Sequence, residues 1–200
     1  MTISRTFTRA RVLAIAMLVT TSVTIAACGG FTTVSVGGTV RNLTGTGLVL
    51  ANGTSTVAVD ANATSFTFPQ QVDIHATYSV SVQTQPTRQT CGVFNPSGTA
   101  GAAPVTVVAV ICATNTYFVG GLVSGLKGTN LVLTNGSDQV TVPAGDASGN
   151  ANFFFPTAVA DGSAYGVAVL TQPAGQTCTV ANGSAFVNGA VVNTVRVSCT

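Results

Sequence analysis

Beyond residue 36 the chain alternates apolar and polar positions in short runs. Tyr78-x-Val80-x-Val82 and Tyr165-x-Val167-x-Val169 repeat every second residue, as do Val108-x-Val110-x-Cys112 and Val195-x-Val197-x-Cys199. Period two predicts strands with one buried face. Leu48–Ala51 and Leu131–Thr134 each lead into Asn-Gly and then into a second alternating run. Asn-Gly supplies the positive φ of a tight turn, so two hairpins are predicted, with Val57, Val59, Val140 and Val142 facing the core. Phe66-x-Phe68-Pro69 and Phe153-x-Phe155-Pro156 place two rings on one strand face, and the proline ends the strand or holds it at an edge. Thr-Gln-Pro, at 84–86 and 171–173, breaks each Tyr-x-Val-x-Val strand. About seven short strands are predicted in each half, with no helical period after residue 30.

Every one of these elements occurs twice. Phe66–Cys112 matches Phe153–Cys199 at 21 of 47 positions with a constant offset of 87, and residues 37–59 match 120–142 at 13 of 23 with an offset of 83. A repeat of this length predicts two homologous modules, 37–115 and 118–200, with a short linker around Ala113–Val119. The four-residue difference in offset falls within Pro143–Asn150, a loop insertion of small entropic cost. Residues 28–36 read as a tether ahead of the first module.

Composition narrows the class. Charged residues are 6% of the chain, with no glutamate, while mean hydropathy is +0.51. Low charge with low hydropathy would mean disorder, but this hydropathy argues for a packed core. Three of the cations, Arg5, Arg9 and Arg11, precede an apolar run. The remaining Arg41, Arg88, Lys127 and Arg196 face five aspartates, too few and too scattered for a nucleic-acid footprint.

Residues 1–27 have the form of an export signal: a basic start, then the apolar Val12–Ala27, too short and threonine-diluted for a membrane span. Ile25-Ala26-Ala27-Cys28-Gly29 resembles a bacterial lipobox. The resemblance implies that Cys28 becomes the first residue and is acylated, anchoring the chain by two or more fatty chains. Gly29 in place of aspartate points to the outer membrane, facing periplasm or exterior. Cysteine arithmetic agrees. Five cysteines are awkward in an exported chain, and removing Cys28 leaves four. Four allow three connectivities, and equal spacing in two homologous modules favours Cys91–Cys112 and Cys178–Cys199. Each bridge closes a loop of about 20 residues, contributing ~3 kcal/mol.

Gly-x-Val-x-x-Leu, the Asn-Gly turn, Phe-x-Phe and Tyr-x-Val-x-Val together resemble the prealbumin-like or Cna-B-type immunoglobulin-like sandwich. The Thr-Gln-Pro…Gln-Thr-Cys…Val-x-Cys portion is similar to a repeat of exported proteobacterial lipoproteins. The resemblance implies an all-β fold: two tandem immunoglobulin-like, antiparallel β-sandwiches after a signal peptide. Cna-B-type members often carry a Lys–Asn/Asp isopeptide assisted by Glu. Without Glu, and with Lys127 in a turn-like Gly125–Gly128, no such crosslink is expected.

Candidate chemistry is sparse. His75 is the only histidine, and the second copy has Ala160 and Gly162 opposite Asp73 and His75. No nucleophile elbow surrounds a serine, and Ser163 and Ser184 read as turn residues. Asp138 and Asp146, near the inserted loop, are the weak calcium candidates, but no EF-hand pattern accompanies them. No catalytic, cofactor or metal residues are expected. The function expected is a membrane-anchored exported lipoprotein, a non-catalytic cell-envelope binding or structural module whose partner is an envelope or extracellular protein or glycan. Two alternatives stand beside it. A hydrolase or lyase would place Asp73, His75 or Asp161 in an inter-module cleft with a nucleophile or second carboxylate. An inert spacer from a longer array would show only two clean domains.

Overall fold

The computed structural model describes residues 32–200. Residues 1–31, including the predicted signal and Cys28, lie outside the described part.

The first half runs β1 (Thr33–Val34), β2 (Val36–Arg41), β3 (Leu48–Asn52), β4 (Ser55–Val59), β5 (Ser65–Thr67), β6 (Val72–Asp73), β7 (Thr77–Thr84), β8 (Gln89–Phe94), β9 (Ser97–Thr99) and β10 (Val105–Thr114). The second repeats it as β11 (Thr116–Tyr117), β12 (Val119–Ser124), β13 (Val132–Asn135), β14 (Asp138–Thr141), β15 (Ala151–Phe154), β16 (Val159–Ala160), β17 (Ala164–Thr171), β18 (Cys178–Ala181), β19 (Ser184–Phe186) and β20 (Val192–Cys199). Each half builds two four-stranded sheets, β5-β2-β10-β8 with β4-β3-β7-β9, and β15-β12-β20-β18 with β14-β13-β17-β19. The fold is all-β, in two similar halves of β-sandwich type.

Two expectations need correction. The sheets are not wholly antiparallel, because β2 pairs with β10, and β12 with β20, in parallel. Side-chain alternation has the same period in either direction, so the pattern could not distinguish them. The first half also begins earlier than Gly37. β1 pairs with β6 as β11 pairs with β16, and Val34 and Val36 are buried, so the stretch read as a tether already contains β1 and the first residue of β2.

The Gly-Gly pair of each copy makes the parallel ladder feasible. A Cβ on Gly38 would lie 2.0 Å from the Val108 carbonyl oxygen, and one on Gly121 the same distance from that of Val195. Only glycine permits that approach.

Each half has its own core. Leu48, Leu50, Val108 and Val110 close one cluster, and Leu131, Leu133, Val195 and Val197 the other. Phe66 and Phe68 meet edge to face at 5.7 Å, and Phe153 and Phe155 repeat this at 5.9 Å. All four rings are buried, as the spacing predicted. Both disulfides form as expected. Cys91 lies directly opposite Cys112 on β8 and β10, Cys178 opposite Cys199 on β18 and β20, and each pair belongs to its own core.

Candidate functional site

The polar residues that the two copies share hold the scaffold together. Gln89, 4% exposed, accepts the N–H groups of Thr44 and Gly45 and donates to the Asn42 carbonyl, each at 2.8 Å. Gln176 treats Lys127, Gly128 and Gly125 in the same way. A long neutral amide suits this task because it offers acceptor and donor side by side to a loop that lacks strand partners. The glutamine of Thr-Gln-Pro has a second task. Gln85 accepts the Cys91 N–H and donates to the Cys91 carbonyl, and Gln172 does so for Cys178. The motif therefore fixes the backbone at each disulfide, a role its spacing alone did not reveal.

Chemistry specific to one copy collects where the halves meet. Asn115 stands alone between β10 and β11. Its N–H donates to the Arg88 carbonyl, its carbonyl accepts from the Asp161 N–H, and its side chain accepts the Thr90 hydroxyl. Arg88 Nε lies 4.0 Å from Asp161 Oδ1, and the same oxygen accepts the Gly189 N–H. Arg88 adopts φ 61°, where the second copy has Gly175. Its guanidinium covers Gly162 so closely that a Cβ there would lie 2.6 Å from Nη1. Above this junction opens a cleft of about 460 Å³, lined by residues that include Thr44, Thr46, Thr87, Arg88, Asp161 and Ser163. Asp161 and Ser163 thus share a concave surface, while no histidine and no second carboxylate lines it.

The remaining candidates lie elsewhere. His75 is an exposed turn residue at φ 70°, its N–H bonded to the Ala100 carbonyl, and Asp73 sits on β6 opposite Thr33. Asp138 accepts from the Gln139 and Thr157 N–H groups. Asp146 Oδ1 accepts from Ser148 and Asn150, closing the inserted loop, and these backbone donors hold its carboxyl below the ordinary carboxylate range. Both calcium candidates therefore already accept backbone N–H groups, Asp146 within its own loop and Asp138 partly from Thr157 beyond β15. Ser184 is exposed on β19, and Lys127 lies in the loop pinned by Gln176. Among the described residues, no group of three or more His, Cys, Asp or Glu side chains could hold a metal ion. This arrangement is consistent with a non-catalytic binding or structural module.

One surface was not foreseen. Phe118, Phe154 and Val191 are about half exposed and, with Pro156 and the buried Phe155, wall an apolar hollow of about 440 Å³. The aligned positions of the first copy are Ser35, Thr67 and Pro104, so the fold itself does not require apolar residues there. Reading the two copies for their differences, rather than their identities, would have exposed it.

No helix among the described residues is long and apolar enough to cross a membrane. Comparison with protein-family models and with curated proteins finds no match for this chain.

Proposed function

We propose that the chain is an exported bacterial lipoprotein, held at the outer membrane by lipid on Cys28, whose two sandwiches present a non-catalytic binding surface to an envelope protein. The observation that carries the binding role is the apolar hollow at Phe118, Phe154 and Val191. Exposed apolar side chains gathered around one hollow mark interaction sites, and the first copy does without this one. Its lining offers no hydrogen-bonding side chain, which suits an apolar protein side chain better than a hydroxyl-rich glycan. The anchor is supported by the lipobox-like stretch and by the pairing of the other four cysteines, which leaves Cys28 free of a disulfide role.

Two measurements test the reading. Cys28→Ser is expected to move the protein from the membrane to the soluble fraction, and continued membrane binding would overturn the anchor. A photo-crosslinking residue at Val191 is expected to capture a discrete envelope protein in living cells. That adduct should vanish in Phe118→Ser/Phe154→Thr, which copies the first module's residues. If no adduct depends on those rings, the inert-spacer alternative replaces the binding role.

A further inference from the structure

We propose that the leading end of the first sandwich rests on the lipid headgroup layer, with the Phe68–Gln71 and Gly101–Pro104 loops facing the membrane. The inference rests on the reading of Cys28 as the acylated first residue, and adds to it the length of the leash. The Thr32 carbonyl already accepts the Ile74 N–H at 2.8 Å, Thr33 and Val34 pair with Asp73 and Val72, and Val34 is buried. Only Gly29, Gly30 and Phe31 separate Cys28 from the first bonded residue. Four peptide steps reach at most about 14 Å in any conformation. The ten residues of β10 alone extend roughly 33 Å. A leash less than half as long as the sheet holds the end that carries Thr32 near the acyl chains and keeps the far end away.

That end gathers a particular chemistry. Thr33 Oγ1 bonds the Gln71 side chain, and Ala102 and Pro104 lie beside Thr33 and Ser35 around a small hollow. Thr32, Gln70, Gln71 and residues 101–104 are exposed and uncharged. Asp73 is the charged residue on its strands, whereas Arg41 and Arg88 stand at the opposite end, where β2 stops and β8 starts. Anionic headgroups therefore do not draw this surface in by charge; the short leash imposes the contact. The same copy carries Ser35 and Thr67 where the second carries Phe118 and Phe154, so its end meets headgroups without inserting into the acyl layer.

The test uses the full lipidated protein in vesicles of phosphatidylethanolamine and phosphatidylglycerol containing a headgroup-attached quencher. A fluorescent amino acid is placed at Ala102, or at Lys127 in the far loop of the second sandwich, leaving every cysteine intact. Quenching at Ala102 is expected to exceed that at Lys127 several-fold and to be the same at low and high salt. A Gly/Ser insertion of about twelve residues between Gly30 and Phe31, adding a reach of roughly 40 Å, is expected to abolish the difference. Mass spectrometry of the same sample separates the outcomes. Equal quenching at the two sites with Cys28 acylated overturns the membrane-facing end while the anchor stands. An unacylated Cys28 overturns the anchor reading, and this inference with it.

Discussion

Replacing Gln89 by alanine tests whether the repeated glutamines are structural pins. The side chain is almost fully buried and makes three bonds of 2.8 Å to the loop joining β2 and β3. A net hydrogen bond contributes about 1 kcal/mol, and an orphaned buried group can cost more. Thr44 is exposed, so water partly replaces the lost acceptor at its N–H, which keeps the expected loss near 3 kcal/mol. A module of this size has a total stability of roughly 4–12 kcal/mol, so the change is large. Urea unfolding of the first half should shift accordingly, and amide exchange at Thr44 and Gly45 should accelerate, while the second half is unchanged. Gln176→Ala should produce the mirror result. Gln89→Glu keeps the acceptor but turns an oxygen toward the Asn42 carbonyl, so its loss should exceed what shape alone would give. A change below about 0.5 kcal/mol in Gln89→Ala, with unaltered exchange, would refute the reasoning. The motif would then have to be conserved between copies for contact with something else.

Other outcomes follow from the same geometry. Cys91→Ala/Cys112→Ala should lower the stability of the first half by about 3 kcal/mol and leave the second half's urea midpoint in place. Gly38→Ala or Gly121→Ala drives a methyl into a carbonyl oxygen and should cost about 3 kcal/mol or more, read as loss of amide protection along β2 or β12. Arg88→Gly, which copies Gly175, should change stability by less than about 1 kcal/mol, as thermal unfolding would show, because the Arg88 side chain is 60% exposed and the nearly buried Asp161 carboxylate keeps the Gly189 N–H as a donor. Asp146 has its folded-state pKa depressed, so its contribution is present above the ordinary carboxylate pKa and is lost as pH falls through the lowered value. Amides of Ser148 and Asn150 should therefore lose protection only in acid below about pH 4, and Asp146→Ala should remove that dependence.

Much of the scaffold could be read from the chain because its signals are local. Alternation found seven of the ten strands in each half, missing the short β1, β6 and β9 and their counterparts, while Asn-Gly placed both hairpin turns and Phe-x-Phe located the rings that meet edge to face. The disulfides followed from symmetry between copies. What escaped was non-local. The parallel pairing of β2 with β10 joins segments some 70 residues apart and leaves no mark on alternation. The β1–β6 pair is only two residues long, and Val34 aligns with Tyr117, too little to extend the repeat. Gln89 reaches residues far back in sequence, so its identity in both copies said that it mattered but not why. At the junction, Arg88 and Asp161 align with Gly175 and Ile74, and a search for repeated chemistry passed over them. Of the three residues that the hydrolase alternative named, Asp161 lines the cleft beside Ser163, and Asp73 and His75 do not.

The account as a whole requires two self-contained copies and one cysteine kept apart for lipid. Mass spectrometry of non-reduced peptides from the membrane-extracted protein examines both at once. It should find an acylated Cys28 as the first residue, with Cys91 bonded to Cys112 and Cys178 to Cys199. An unmodified amino terminus at another position, or a bond joining a cysteine of one half to a cysteine of the other, would contradict it.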